Sequence, residues 1–277
     1  ALRATLHEIS LHSDAPSRLA AFYEAGLGYC FAEDHQGFLG VGRSRRLRLT
    51  PGAPNTLDYA AYALTDGFEL ATLAKRLDAC GVAYERRDVV GFAPGTLSVH
   101  DPDGNHFLFG LAAGDVETFT HPVADRAARL QHVVFASPQP QALLDFYVDV
   151  LGFVLSDRVL DEAGGLRTAF VRCSHEHHSL AVFKADRSRI DHHCYEAEDW
   201  GLIRDWADHF AGLRVPLKWG PGRHGPGDNL FLFVVDPDGN WVEISAELEQ
   251  VEADRPAGIW PHEERTLNSW GAGFLRS

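Results

Sequence analysis

The chain contains two copies of one sequence pattern, and this repeat constrains its fold more than any other feature. Segment 13–29, SDAPSRLAAFYEAGLGY, aligns without a gap with segment 137–153, SPQPQALLDFYVDVLGF. DYAAYALTD at 58–66 aligns with DHHCYEAED at 191–199, and VHDPDGNHFLF at 99–109 aligns with VVDPDGNWVEI at 234–244. Such self-similarity predicts two halves that fold alike, joined near residues 114–129. With 277 residues and 45% hydrophobic content, the chain is long enough to bury a substantial core.

Each half divides again into two similar units. A strand pattern followed by a helix pattern begins at residues 6, 57, 130 and 190, and each pair is followed by strand-like runs with glycine or aspartate turns. The sequence therefore predicts an α+β fold of four βαβββ modules in two tandem domains. We place these domains at residues 1–115 and 128–250, and expect residues 251–277 to form an irregular tail packed on the second domain.

The composition opposes several classes of partner. Lys plus Arg is 25 and Asp plus Glu is 39, which gives a formal net charge of -14 and disfavours nucleic acid or an anionic membrane as partner. The sequence shows neither a membrane-spanning apolar run nor a signal-peptide pattern at its start. The four cysteines, at positions 30, 80, 173 and 194, are scattered. They are interpreted as buried reduced thiols of a cytoplasmic protein.

The segment 222–243, GRHGPGDNLFLFVVDPDGNWVE, places a carboxylate inside a strand pattern. It predicts strands at 229–235 and 240–246 joined by a turn at DPDG. Alternation puts Trp241, Glu243 and Ser245 on one face of the second strand. Because an unpaired buried carboxylate is costly, we expect Glu243 to be paired with a charge, protonated or bound to a metal.

The two copies differ in residue type at three strand positions. From the first copy to the second, these changes are Glu8 to His132, Tyr59 to His192, and Leu108 to Glu243. Two neutral histidines and one carboxylate form the facial triad of non-haem iron(II), which leaves coordination positions open. The sequence therefore predicts a metal site in the second domain and a supporting role for the first.

These residues lie in motifs that resemble a known family. LQHVVF, HHSLAVF, IDHHCYEAED and the 222–243 segment resemble the type I extradiol ring-cleaving dioxygenases of the vicinal oxygen chelate superfamily, over almost the whole chain. The resemblance implies Fe(II), with Mn(II) as the alternative, held by His132, His192 and Glu243. It also implies O2 and a catecholic substrate opened beside its diol in aromatic compound catabolism. Relatives of this fold commonly assemble, so a homo-oligomer is expected.

The choice between His192 and its neighbour His193 depends on alignment and alternation. Aligning HHCYEAED with the family's strand puts His192 at the ligand position. Alternation agrees if three residues of each strand share a face: Ile190, His192 and Cys194, and Leu130, His132 and Val134. We therefore predict His192 as the ligand, with His193 as the alternative.

Two further histidines match catalytic positions of the family. The resemblance implies that His178 acts as an acid–base group and that His224 hydrogen-bonds the substrate, tasks that suit a side chain with a pKa near working pH. The other histidines of the stretch SHEHHS, His175 and His177, are expected in a solvated turn.

One position departs from the family pattern. Where the family usually has a tyrosine ten residues before the carboxylate ligand, this chain has Phe233. Tyr195 or an ordered water is predicted as a compensating hydrogen-bond donor. Phe183 and Phe233 are expected to line an apolar substrate pocket.

Two other functions are compatible with the same fold. One is a metal-dependent isomerase or lyase similar to glyoxalases, which would not need oxygen. The other is a binding protein for a small aromatic molecule. His178 and His224 together favour the dioxygenase over the first, and the intact metal triad disfavours the second.

Overall fold

A computed structural model describes residues 1–114 and 126–274, and the four predicted βαβββ modules follow one another in this part of the chain. The first half comprises β1 (Ala4–Ser13), α1 (Pro16–Leu27), β2 (Cys30–Asp34), β3 (Gly37–Gly42), β4 (Arg45–Pro51), β5 (Thr56–Leu64), α2 (Gly67–Ala79), β6 (Tyr84–Arg87), β7 (Thr96–His100) and β8 (His106–Gly110).

The second half repeats this order. It comprises β9 (Arg129–Ser137), α3 (Pro140–Asp145) with a π-helical continuation (Phe146–Leu151), β10 (Val154–Leu160), β11 (Leu166–Arg172), β12 (Leu180–Lys184), β13 (Arg189–Ala197), α4 (Trp200–Gly212), β14 (Trp219–Arg223), β15 (Leu230–Val235) and β16 (Trp241–Ala246). Two short elements follow, β17 (Gly258–Pro261) and α5 (Glu264–Leu267).

Each half forms one sheet in which two modules lie side by side. Within the described ranges, the strand orders are β2-β3-β4-β1-β5-β8-β7-β6 and β14-β15-β16-β13-β9-β12-β11-β10-β17. The first strands of paired modules, β1 with β5 and β9 with β13, meet antiparallel at the centre. The predicted fold class is confirmed. The division into domains at 1–115 and 128–250 stays a prediction, and most of the join, residues 115–125, lies outside the described residues.

Residues that are identical in the two copies lie at the ends of equivalent helices. Pro16 and Pro140 begin α1 and α3. Proline lacks a backbone N–H, and this costs nothing in the first turn because an N–H there has no carbonyl acceptor within the helix. Gly28 and Gly152 end these helical segments at φ 68° and 91°, values that favour glycine. No helix in the described ranges is long and apolar enough to cross a membrane.

Two equivalent hydrogen bonds connect the halves, and each joins a tyrosine and an aspartate that both copies of the pattern contain. Tyr23 of α1 donates its hydroxyl proton to Asp236 Oδ2 at 2.9 Å, and Tyr147 of the π-helical segment donates to Asp101 Oδ2 at 2.8 Å. Both aspartates begin a DPDGN turn. The repeated helix and the repeated turn therefore contact each other across the two halves.

The two faces of the second sheet have different environments. In β16, Val242 and Ile244 lie in the large apolar core shared with the helices, whereas Glu243 and Ser245 point to the opposite face. The predicted strands, turn and alternation in this segment are confirmed.

Two β-bulges change the alternation that was expected in the central strands. The pairing of β9 with β13 skips Gln131 in one strand and Asp191 in the other. Each extra residue reverses the side-chain alternation beyond it. Leu130 and Ile190 consequently lie in the apolar core, so the prediction that they share a face with the ligand histidines is wrong.

The segment after residue 250 is more regular than predicted. β17 pairs in parallel with β10 and extends the second sheet, and α5 follows it. The prediction of an irregular tail is therefore wrong for these residues. The prediction of buried cysteines is correct for Cys173 and Cys194, but Cys80 is exposed.

Candidate metal centre

The three predicted ligands meet on the face of the second sheet that points away from the helices. They lie on the adjacent strands β9, β13 and β16. Nε2 of His132 lies 3.1 Å from Glu243 Oε2, and Nε2 of His192 lies 3.2 Å from the same oxygen. All three side chains are nearly enclosed, with exposures of 2%, 11% and 1%. That they bind a metal stays a prediction.

The residues displaced by the two bulges orient the histidines. His132 Nδ1 lies 2.5 Å from Gln131 Oε1, and the amide nitrogen of Gln131 donates to the carbonyl of His178 at 2.6 Å. Because the amide oxygen can only accept, Nδ1 of His132 carries the proton. His192 Nδ1 donates likewise to Asp191 Oδ2 at 2.6 Å. Nε2 is therefore the nitrogen of each ring that faces the carboxylate.

The side chains around Glu243 stabilise its negative charge. Burial by itself raises the pKa of Glu243, but the imidazoles around it bring that pKa well below its ordinary value, so the carboxylate is ionised. Burial lowers the pKa of His132. Burial also acts to lower the pKa of His192, but hydrogen bonds to Asp191 and Glu243 raise it overall. A divalent cation bound by these three side chains would balance the charge of the Glu243 carboxylate.

The donor set fits the implied metal. Two imidazole nitrogens and one carboxylate suit Fe(II) or Mn(II), and a polar residue holds the far nitrogen of each ring. Such support fixes ring orientation and raises ligand basicity.

A cysteine lies close to this centre and was not predicted there. The sulphur of Cys194 and ligand atoms of His132 and Glu243 lie within 4.8 Å of one another. Burial and the nearby Glu243 raise the pKa of Cys194 well above its ordinary value, so it remains a thiol. Because metals bind the thiolate, Cys194 is a poor ligand candidate. Its position two residues after His192 was the signal for its location.

Two more polar side chains contact the carboxylate. His224 donates from Nδ1 to the carbonyl of Leu267 at 2.5 Å, and its Nε2 lies 3.5 Å from Glu243 Oε1. Asn229 donates to the same oxygen at 3.4 Å. Asn229 was not among the predicted site residues, although alternation places it on the same face as Phe231 and Phe233.

The stretch SHEHHS differs from its predicted environment. His178 is 3% exposed and its ring centroid lies 4.5 Å from that of His132. Burial, together with His132, lowers the pKa of His178 well below its ordinary value. His175 is exposed, as expected for a solvated turn. The same prediction is wrong for His177, which is fully buried between His178 and Asp157.

Aromatic rings form one wall of the centre. Phe233 is 1% exposed, meets the ring of His192 edge to face at 5.2 Å and stacks on Trp219 at 5.4 Å. Phe183 is half-buried and lines the adjoining cavity together with Phe233. Their roles toward a substrate stay predictions.

The predicted role of Tyr195 is not supported by its location. Its side chain is fully buried in the apolar core and its hydroxyl accepts a hydrogen bond from Tyr29 at 3.0 Å. Tyr195 directly follows Cys194 in β13, so its side chain points to the opposite face and does not line the cavity. The prediction that Tyr195 replaces the missing tyrosine hydroxyl is therefore wrong.

A cavity opens beside the three predicted ligands. It measures about 790 Å³ including the part open to solvent. His178, His224, Asn229 and Asp191 line it, and no lysine or arginine of the described residues does so. Its apolar lining includes Phe170, Phe183, Trp219, Phe233, Leu267 and Phe274.

The equivalent positions of the first half contain an ion pair. Arg46 Nε donates to Glu8 Oε2 at 2.9 Å, and the hydroxyl of Tyr59 donates to Glu8 Oε1 at 2.6 Å. All three residues are buried. The carboxylate is thus neutralised without a metal, which agrees with the supporting role predicted for this half.

The fold and the centre are similar to those of a known class of proteins. Paired βαβββ modules carrying two histidines and a glutamate on one sheet face are the arrangement predicted for the vicinal oxygen chelate superfamily. The family described as Glyoxalase/Bleomycin resistance protein/Dioxygenase superfamily matches residues 129–244. This match lies in the second half of the chain and runs from β9 to β16.

Comparison with individual proteins narrows the relationship. Metapyrocatechase 2 of Cupriavidus necator is 29% identical over 245 residues, which cover 81% of this chain and 75% of that protein. An iron-dependent extradiol dioxygenase of Rhodococcus jostii is 28% identical over 249 residues, covering 83% and 82%. The predicted relationship to extradiol dioxygenases is confirmed.

A solved structure supports the fold. The Mn(II)-bound glyoxalase from Novosphingobium aromaticivorans superposes with a TM-score of 0.85 at 22% identity, covering 99% of this chain and 93% of that one. At this identity the likeness concerns the fold alone.

Proposed function

We propose that this protein is an extradiol ring-cleaving dioxygenase that uses Fe(II) and O2 to open a catecholic ring beside its diol, in the catabolism of aromatic compounds. The observation that carries the proposal is the convergence of His132 Nε2 and His192 Nε2 on Glu243 Oε2 at 3.1 and 3.2 Å, at the edge of an apolar cavity. Relatives with catechol-cleaving names support the reaction type.

His132, His192 and Glu243 would hold the metal ion, which when bound supplies a Lewis acid at which a diol and O2 can be brought together. Fe(II) is favoured over Mn(II) because the relative from Rhodococcus jostii is named iron-dependent.

The remaining side chains of the centre have separate tasks. His178 can accept a proton from a substrate hydroxyl, since burial favours its neutral form. His224 and Asn229 lie beside Glu243 and can orient polar atoms of the substrate. Phe233 and Trp219 exclude water from the reacting ring, and Phe233, stacked on Trp219, holds His192 by edge-to-face packing.

The cavity lining further indicates which catechols are preferred. Most of the wall beyond the ligands is aromatic or aliphatic, its polar members include His178, His224, Asn229 and His262, and no lysine or arginine of the described residues lines it. A carboxylate substituent against the apolar part of the wall would lose its water without gaining a lysine or arginine partner, which is costly. We therefore propose a catechol with an uncharged, apolar ring substituent.

A matched pair of substrates tests this preference and the proposed reaction. Oxygen uptake by Fe(II)-loaded protein is expected with a catechol carrying an ethyl group. The value of kcat/KM should be at least about tenfold lower for the catechol carrying a carboxymethyl group, because its buried charge has no partner. Equal values for the pair would refute the apolar preference. No oxygen uptake with any catechol would refute the proposed reaction and favour the isomerase or binding alternatives.

Two proposals concern the whole protein. The cytoplasmic location and the homo-oligomeric state remain as predicted from composition and resemblance.

Unsubstituted catechol, which has no ring substituent, is the reference substrate for the pair of substituted catechols above.

A further inference from the structure

The two oxygens of the Glu243 carboxylate face different groups. Oε2 lies 3.1 Å from Nε2 of His132 and 3.2 Å from Nε2 of His192, the two other predicted ligands. Oε1 lies 3.4 Å from Nδ2 of Asn229 and 3.5 Å from Nε2 of His224, and both of these residues line the cavity. One oxygen is thus directed toward the predicted ligands and the other toward the cavity wall.

The carboxylate fixes the orientation of the Asn229 amide. A carboxylate that binds a metal is deprotonated and only accepts hydrogen bonds. The amide nitrogen therefore faces Glu243, because the reverse orientation would bring two acceptors together. Oδ1 of Asn229 then lies on the side of Gly227, where an added Cβ would be 3.3 Å from it. The 3.4 Å contact with Oε1 is at the long end of the hydrogen-bond range.

The buried amide is a poor choice for stability alone. Asn229 is 1% exposed, and its Oδ1 has no hydrogen-bond partner among the residues that the structure describes. A buried acceptor without a partner costs free energy, and an apolar side chain of similar size would avoid this cost. The amide nitrogen donates to Glu243. The presence of an amide at this position therefore points to a role toward Glu243.

We propose that Asn229 is a positioning residue that holds Oε1 of Glu243 in the cavity wall, so that Glu243 offers the metal Oε2 alone. This rests on the metal centre of the proposed function. Three protein donors leave coordination positions open for substrate and O2. Binding of Oε1 as well would occupy one of these positions. The amide thereby preserves a position that the two hydroxyl oxygens of a catechol and O2 need.

Crystal structures of the Mn(II)-loaded protein test this role without turnover. We expect one oxygen of Glu243 on the ion in the wild type. Both oxygens should bind in Asn229→Leu, whose side chain has a similar size but no donor. In His224→Phe, which removes the other group near Oε1, one oxygen should still bind because Asn229 remains. Two bound oxygens in the wild type would overturn the proposal. Release of Oε1 by His224→Phe and not by Asn229→Leu would also overturn it, because His224 would then have this role.

Anaerobic substrate binding and thermal unfolding measure the consequences. We expect Mn(II)-loaded Asn229→Leu to bind a catechol carrying an ethyl group about tenfold more weakly than the wild type, because Oε1 competes with a hydroxyl oxygen. Calorimetry measures this binding. The metal-free variant should unfold at the same temperature as the wild type or at a higher one, since the buried acceptor is gone. A lower unfolding temperature with unchanged catechol binding would show that the role of Asn229 is purely structural.

Thr266→Val is the matched control. Thr266 is 3% exposed and lines the same cavity, but its hydroxyl donates to the carbonyl of Pro261. The variant should keep one oxygen of Glu243 on the ion, and two would contradict a specific role of Asn229. Failure of the wild type to bind Mn(II) would refute the metal centre and the role of Asn229 with it. One bound oxygen in a wild type that consumes no O2 with any catechol would refute the proposed reaction and still support the positioning role.

Discussion

Glu243→Ala is expected to reduce the metal content of the purified protein from about one ion per chain to near background, because the carboxylate is the only anionic member of the ligand set. The same result is expected for His132→Ala and His192→Ala, since each removes one of three donors. The fold should persist, because the three side chains lie on the cavity side of the sheet and not in its large apolar core. Metal analysis of anaerobically prepared protein measures the effect, and circular dichroism checks the fold.

The neighbouring histidine provides the matched control for this prediction. His193 points into the opposite face, where its Nε2 lies 3.1 Å from the hydroxyl of Tyr23. His193→Ala should therefore retain the metal, although the change leaves a hole in the core. Loss of iron in the His193 variant together with its retention in the His192 variant would show that the ligand assignment is wrong. A stoichiometry near two, with Glu8 as a ligand, would contradict the supporting role of the first half.

His178→Phe is expected to slow turnover by about a hundredfold or more while metal and substrate still bind, because it removes a general acid–base group of ordinary effect. Phenylalanine fills a similar volume beside His132, so the centre should remain packed. The measurement is steady-state oxygen uptake at saturating oxygen and catechol, with metal content determined on the same samples.

The control for this variant lies in the same loop. His175→Phe introduces the same ring at an exposed position and should not change the rate. Turnover by His178→Phe equal to that of the wild type under saturating conditions would refute the acid–base role.

The repeat explains why much of the fold could be predicted from the sequence. Because the chain contains two copies of one pattern, each half serves as a control for the other. Residues that are identical in both copies were assigned to the fold. Pro140 and Gly152, for example, mark helix ends in the second half as their counterparts do in the first. Positions at which the residue type changes between the copies identified His132, His192 and Glu243, which the structure brings together.

Alternation along the central strands could not be predicted correctly, because bulges leave no clear mark in a single sequence. The skipped residues Gln131 and Asp191 reverse the faces beyond them, which moves Leu130 and Ile190 into the core. In both strands the skipped residue is polar and directly precedes the ligand histidine, in LQH and IDH. Tyr195 could have been excluded earlier, since it is one residue from Cys194 and therefore faces the other way.

The environment of His177 depended on contacts distant in sequence. Nε2 of His177 lies 3.1 Å from Asp157 of β10, and Asp157 is paired in turn with Arg255 from the segment before β17. A histidine-rich loop between two strands gives no local indication of such partners. Asn229 was missed for a similar reason, because its contact with Glu243 depends on the pairing of β15 with β16.

The most direct test of the proposed function is turnover of a neutral alkyl-substituted catechol by Fe(II)-loaded protein under dioxygen labelled with the heavy oxygen isotope. Mass spectrometry of the product shows which bond is cleaved and how many labelled atoms enter. We predict a product opened beside the diol that contains both atoms of one dioxygen molecule, formed only by protein that retains His132, His192 and Glu243. A catechol that is left intact or is converted without label, by metal-loaded protein, would contradict the assignment as an extradiol dioxygenase.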